Sequence, residues 1–172
     1  MHIGIISDTH DNLLLIEKAI KYLNEAKVDL VLHAGDYTSP FVIAKFVDLN
    51  CKLIGVFGNN DGDHELLKKR FSETQNCEIH GRFAEVNAEG FKIGLLHGDE
   101  TELLNALLNR DCFDAIVYGH LHSTVERKNG KMLIISPGEL CAYLTGKSTI
   151  AILDTNIREA KINQIWPRAT AK

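Results

Sequence analysis

Short apolar runs that stop on glycine, aspartate, asparagine or histidine recur along the chain. They are Ile3-Gly4-Ile5-Ile6 before Asp8 and His10, and Leu30-Val31-Leu32 before Gly35-Asp36. Next come Leu53-Ile54-Gly55-Val56-Phe57 before Gly58-Asn59-Asn60-Asp61, and Ile93-Gly94-Leu95-Leu96 before His97-Gly98-Asp99. The last is Ala115-Ile116-Val117 before Gly119-His120-Leu121-His122. Apolar runs of this length, closed by turn residues, read as buried strands. Between the first two, Leu13, Ile16, Ala19, Ile20 and Leu23 recur at helical spacing and predict a helix from Leu13 to Asn24. Ser39-Pro40 opens a second helix carrying Val42, Ile43 and Phe46, and Asp63 caps a third carrying Leu66, Leu67 and Phe71. Strands alternating with helices imply a parallel sheet with covering helices.

The pattern then turns antiparallel. Phe83 to Val86 and Phe91 to Leu96 flank Ala88-Glu89-Gly90, and Val125 to Lys128 and Lys131 to Ile135 flank Asn129-Gly130, a strong hairpin signal. Thr149 to Leu153 and Ala160 to Trp166 form a further hairpin, whose Ile162, Ile165 and Trp166 either pack into the core or make a homodimer contact. A helix with Leu103, Leu104, Leu107 and Leu108 on one stripe lies between the first two hairpins, with Asp99 as its expected cap. No linker, repeat or low-complexity stretch divides the chain. The expected fold is a single α/β domain over residues 1–172, with two packed mixed β-sheets flanked by helices.

The 172 residues are enough for one core of ordinary size, and the 45% apolar and 24% charged fractions are those of a soluble globular protein. The chain starts directly on a strand, without a basic segment leading into a long apolar one, so we expect no signal peptide and no membrane association. Cys51, Cys77, Cys112 and Cys141 are scattered without paired spacing and read as thiols of a reducing, cytoplasmic compartment. A net charge of -4 argues against a stable nucleic-acid partner, which usually requires a basic face.

Ligands gather beyond the carboxyl ends of the strands in open α/β sheets. There the chain places Asp8, His10, Asp36, Asn59, His97, His120 and His122, and Asp36 can bridge two ions through its two oxygens. Imidazole mixed with carboxylate suits Mn, Fe, Zn, Co or Ni better than Mg or Ca. Two such ions can generate hydroxide from water and hold a phosphate for in-line attack. Taken singly, each residue has an ordinary structural explanation: a helix cap for Asp8, an Asx-turn for Asp36, a loop of turn formers for Asn59 to Asp61. Their coincidence at five strand ends makes a centre of two divalent metal ions the better reading. His33 is expected in the core or behind the ligands, whereas His2, His64 and His80 are expected to be structural or exposed. Cys141 is expected to be a buried thiol.

The ordered series Asp8-x-His10, Gly35-Asp36, Gly58-Asn59-Asn60-Asp61, His97-Gly98 and Gly119-His120-x-His122 resembles the calcineurin-like metallophosphoesterase superfamily. The short chain, Ser136-Pro137-Gly138 and Tyr143-Leu144-Thr145-Gly146 are similar to its small prokaryotic phosphodiesterase branch, the YfcE type. The resemblance covers Ile3 to about Trp166. It implies a β-sandwich flanked by helices. It also implies one ion held by Asp8, His10, Asp36 and His122, and another held by Asp36, Asn59, His97 and His120. The implied activity is hydrolysis of a small or accessible phosphodiester by hydroxide bound to the two metals. The competing readings are a scaffold of the same fold, as in the retromer coat, and a nuclease.

One departure bears on the chemistry. Much of the superfamily carries Gly-Asn-His-Asp or Gly-Asn-His-Glu at the third motif, with a histidine that contacts substrate; here that position is Asn60. An amide donates hydrogen bonds but cannot deliver a proton as a general acid. Asn60 and Asp61 are the candidate catalytic residues: Asn60 is expected to contact a phosphate oxygen, the resemblance implies that Asp61 orients a neighbouring group, and diesters with stable leaving groups are expected to be preferred.

Overall fold

The computed structural model describes residues 1–167. β1 (His2–Ile6), β2 (Leu30–His33), β3 (Lys52–Gly55) and β4 (Cys77–Ile79) run parallel in one sheet. β10 (Ser148–Asp154) joins them antiparallel to β1, and β11 (Glu159–Trp166) closes the edge, giving the order β11-β10-β1-β2-β3-β4. The second sheet has the order β5-β6-β7-β9-β8, from β5 (Phe83–Ala88), β6 (Phe91–Leu96), β7 (Ala115–Val117), β8 (Thr124–Asn129) and β9 (Met132–Pro137). Parallel pairing of β6, β7 and β9 with antiparallel edges makes this sheet mixed as well.

The continuous apolar runs of the parallel strands follow from burial on both faces. Ile3 and Ile5 of β1 meet Ile93 and Leu95 of β6, Val117 and Ile135 in the layer between the sheets. On the outer face of the first sheet, Ile6 packs with the stripe Ile16, Ala19, Ile20 and Leu23 of α1 (Leu13–Glu25), and with Leu67 and Phe71 of α2 (His64–Glu73). Leu104 of α3 (Thr101–Leu108) covers Ile116 and Ile134 on the far side of the second sheet. Asn12 and Asp63 cap α1 and α2 by accepting from Leu15 N and Leu66 N. Among the described residues no helix is long and apolar enough to cross a membrane.

Four local expectations need correction or completion. The segment after Ser39 is a 3-10 helix, Pro40–Asp48, rather than an α-helix. Its buried Pro40, Ile43 and Phe46 recur every third residue, the spacing that stacks side chains on one face of a 3-10 helix. Asp99 does not cap α3: Glu100 occupies the cap position without a side-chain bond, and the Asp99 carboxylate is drawn to the Arg82 guanidinium. The short edge strand β4 was not foreseen. In the last hairpin Ile165 packs into the core, whereas Trp166 stays half-exposed with Lys18 Nζ over its ring at 4.3 Å.

Candidate metal centre

Every residue proposed to hold metal lies just past a strand: Asp8 and His10 after β1, Asp36 after β2, Asn59 after β3, His97 after β6, and His120 and His122 after β7. The loops are stitched to one another through their backbones. Asp8 N donates to Gly35 O (3.0 Å), Thr9 N to Asp36 O (3.0 Å), Gly119 N to His97 O (2.8 Å) and Cys141 N to Asp8 O (3.0 Å). Holding these side chains in register bends the chain sharply. Asp8, His10, Asp36, His120 and His122 have φ of 53°, 38°, 61°, 67° and 54°. A left-handed conformation costs a residue other than glycine roughly 1–2 kcal/mol, and such strain gathers at functional sites. Glycine is required where backbones crowd these carboxylates: a Cβ on Gly58 would lie 2.8 Å from Asp36 Cγ, and one on Gly119 2.8 Å from Asp8 Oδ2.

Two groups of facing atoms result. In the first, His10 Nε2 lies 3.4 Å from Asp36 Oδ2 and 3.9 Å from Asp8 Oδ1, and His122 Nε2 lies 3.3 Å from Asp8 Oδ1. The His10 and His122 rings stack at 5.3 Å. In the second, His97 Nε2 lies 3.3 Å from Asp36 Oδ2 and 3.0 Å from Asn59 Oδ1, and the His120 ring is 5.2 Å from that of His97. Asp36 faces both groups, and the seven residues lie side by side at this end of the strands, with Asp8 Oδ1 also near enough to Asp36 and His97 to share a cation with them.

The donor set fits divalent cations. His97 Nδ1 faces Ala34 O at 2.7 Å, and a carbonyl can only accept, so Nδ1 carries a proton. His97 Nε2 then points at two further acceptors, Asp36 Oδ2 and Asn59 Oδ1. Asp8 Oδ1 and His10 Nε2 are buried without any hydrogen-bond partner. Acceptors converging on one another in a dehydrated place are satisfied by a proton or a metal cation between them, and this arrangement suits either.

Without a metal, a proton on His97 Nε2 would answer the same acceptors, and the charges reflect that pairing. Burial raises the Asp8 pKa, more than the His97 and His122 imidazoles lower it. Burial acts on Asp36 in the same direction, but hydrogen bonds and charge from His97, with two hydrogen bonds from Asn60, pull its pKa well below the carboxylate range. His97 is raised: burial opposes its charge, and Asp36 more than compensates.

The neighbouring groups have defined duties. Asn60 donates from its backbone to Asp36 Oδ1 and from Nδ2 to Asp36 Oδ2, both at 2.8 Å, which leaves the second Nδ2 hydrogen for another acceptor. Asp61 spends its buried carboxylate on Asp36 N (3.2 Å), Thr38 N (2.8 Å) and Gly58 N (2.7 Å), tying the loops after β2 and β3 together. These bonds hold the backbone around Asp36 and Gly58 in place. His33 is fully buried, with Nδ1 accepting from Gly35 N (3.1 Å) and Nε2 against Thr9 Oγ1 (3.2 Å). Burial first, then the charge of His97, holds its pKa well below normal, so it stays neutral. His64 stacks on Phe57 at the start of α2, and His2 and His80 pair with Asp154 and Glu78.

Sequence reasoning missed Glu139. It follows β9, is fully buried, and accepts from His122 Nδ1 (2.7 Å), Thr145 Oγ1 (2.6 Å), the backbone N–H groups of Tyr143, Leu144 and Thr145, and Cys141 Sγ (3.1 Å). Burial would raise its pKa, but the bonds from Thr145, His122 and Cys141 bring it down to about 2. Cys141 is the buried thiol expected, raised to about 12 chiefly by burial, and it lies close to His10 and His122. The signal for Glu139 was an acidic residue ending another apolar strand, β9.

This fold and this convergence of carboxylates, imidazoles and an amide define a class, and the chain belongs to it. The calcineurin-like phosphoesterase superfamily domain matches residues 1–158. Phosphodiesterase MJ0936 of Methanocaldococcus jannaschii is 41% identical over 159 residues, covering 92% of this chain and 96% of that protein. A solved structure described as a novel archaeal phosphodiesterase superposes with a TM-score of 0.91 at 40% identity, over 95% of this chain and 99% of the other. The Escherichia coli phosphoesterase YfcE shares the fold at a TM-score of 0.70 and 19% identity, over 96% of this chain and 100% of the other.

Proposed function

We propose that this protein is a metal-dependent phosphodiesterase. The observation that carries the reading is that His10 faces Asp8 and Asp36, His122 faces Asp8, and His97 faces Asp36 and Asn59 with the His120 ring beside it, while Asp8 Oδ1 and His10 Nε2 have no hydrogen bond. The 41% identity to a phosphodiesterase supports the choice of substrate class.

The two sets of residues would each hold one divalent ion, of Mn, Ni, Co, Fe or Zn type given the imidazoles. When bound, such ions polarise the phosphate and lower the pKa of water, supplying both electrophile and nucleophile. The chain itself holds Asp36 at the junction, and Asn60 fixes both of its oxygens. The ring nitrogen of His97 that faces away from the site is committed to Ala34 O, which sets the direction of the other. Position 60 has no proton to give to a leaving oxygen, so the leaving group departs on its own stability. Aryl and other acidic leaving groups are favoured, and alkyl monoesters are poor substrates.

The test is hydrolysis of a bis-aryl phosphate diester and the matching aryl monoester by chelator-stripped protein reloaded with Mn, Ni, Co, Zn or Mg. We expect diester cleavage that returns only with added transition metal, and a diester rate above the monoester rate. Turnover that survives stripping, or none with any metal despite two bound ions, would overturn the reading, the latter in favour of a binding module.

A further inference from the structure

We propose that Glu139 is a positioning residue that fixes His122 as a proton-free nitrogen donor toward Asp8, His10 and Asp36, making that half of the centre the tighter cation site. The inference rests on the two-ion reading above and adds an asymmetry between the two positions.

The four imidazoles that face the centre differ in what stands behind them. His122 Nδ1 lies 2.7 Å from Glu139 Oε2, a carboxylate that accepts hydrogen bonds and gives none. The proton is therefore on Nδ1, and the lone pair of Nε2 is directed at the space beside Asp8 Oδ1, 3.3 Å away. His97 has a neutral carbonyl in the equivalent place, Ala34 O at 2.7 Å. His10 Nδ1 faces the Thr38 hydroxyl at 3.1 Å, a group that accepts or donates and so dictates no tautomer. The ring of His120 has no hydrogen-bond partner among the described residues.

A carboxylate behind a ligand imidazole fixes its orientation and raises its basicity more than a neutral partner does. Only the position shared by His10 and His122 has that backing. Burial of Glu139 makes the effect local, because no solvent screens the carboxylate from the ring. The same carboxylate also gathers the amides of residues 143–145, so a purely structural duty as a loop tether is the competing explanation. Thr145 separates the two: its hydroxyl bonds Glu139 at 2.6 Å and Lys147 O at 3.1 Å, with no hydrogen bond to His122 among the described residues.

The experiment is a titration of metal-free wild type, Glu139→Gln and Thr145→Val with Mn2+, counting free and bound ion by electron paramagnetic resonance. Wild type should show two classes of site. Glu139→Gln should weaken the tighter class by about 10–100-fold while the other changes by less than about twofold. Thr145→Val should leave both in place. Nitrogen-15 shifts of the imidazoles in metal-free wild type give a second measurement that does not depend on any variant folding. A proton on His122 Nδ1 supports the assignment, and one on Nε2 overturns it. A folded Glu139→Gln with wild-type affinity, or an equal loss in Thr145→Val, overturns it too. Two ions on wild type with no effect of Glu139→Gln would remove this inference alone, whereas no ion on wild type would remove the two-ion reading with it.

Discussion

The two ends of the sandwich are built from the same strands under different rules. At one end lie the connections that enter β2, β6, β9 and β11. Their left-handed residues are glycines or residues open to solvent in whole or part: Lys27, Glu89 with Gly90, Gly130 and the half-buried Arg158. The carboxylate that fastens this end, Asp114, accepts from Lys92 N at 2.8 Å and pairs with Arg158 at 2.6 Å. At the other end, beyond the carboxyl ends of β1, β2, β3, β6 and β7, left-handed residues include buried Asp8 and Asp36. Their carboxylates face histidines, with no lysine or arginine within pairing distance among the described residues. One end satisfies its charges internally and closes. The other accumulates strain and unmet acceptors, and the difference separates turns that close the fold from turns that gather polar groups at one place.

The comparison is broken most directly at Asp36, which both candidate positions share. Asp36→Ala should lower diester turnover by more than about a thousandfold, about 4 kcal/mol of transition-state stabilisation. Circular dichroism should still report the native fold, and retained turnover would erase the distinction between the ends. Adding transition metal in hundredfold excess over its dissociation constant should stabilise the stripped protein by about 2.7 kcal/mol, read as a rise in denaturation midpoint. Asp36→Ala should lose that rise.

Glycine substitutions sharpen the contrast. Gly58→Ala forces a methyl against the Asp36 carboxylate and should cost about 1–3 kcal/mol together with most of the activity. Gly130→Ala has open space around it and pays only for its φ of 60°, about 1–2 kcal/mol, with turnover per folded molecule unchanged. Equal effects on activity from the two would count against the comparison.

The smallest effect concerns acid stability at the closed end. Burial tends to raise the Asp114 pKa, but Lys92 N and Arg158 hold it below the usual value. A depressed carboxylate stabilises the fold above its unfolded pKa and loses that contribution as pH falls through the folded one. Asp114→Asn should therefore lower stability near neutrality by less than about 1 kcal/mol, and the gap from wild type should narrow below pH 4. A gap that persists at low pH would mean that the loss is steric.

The site was more legible in sequence than its supports. The ligand candidates sit at the ends of apolar runs, where strand spacing and the two-sheet fold leave them one place to meet. The orienting role expected of Asp61 came from the resemblance to the superfamily and not from local spacing. Glu139 was not legible, because its partners are the backbone amides of residues 143–145 and His122 in the loop after β7, and bonds to main-chain groups leave no side-chain pattern to read. β4 escaped because three residues at a sheet edge, with Glu78 in the middle, carry too little periodicity to register. The 3-10 helix shows the same limit: stripes at spacing three and four are hard to separate over nine residues. Asp99 failed as a cap because Arg82, distant in sequence, competes for its carboxylate.

Glu139 grips residues 143–145 by their main-chain amides, along with the Thr145 hydroxyl, while the side chains of Tyr143 and Leu144 project outward, 62% and 74% exposed. Recognition through the main chain is indifferent to side-chain identity. Over evolutionary time, positions 143 and 144 are free to exchange aromatic, aliphatic or polar character without loosening the segment or disturbing the imidazole that shares its anchor. The surface beside the centre can diversify while the centre itself stays constant.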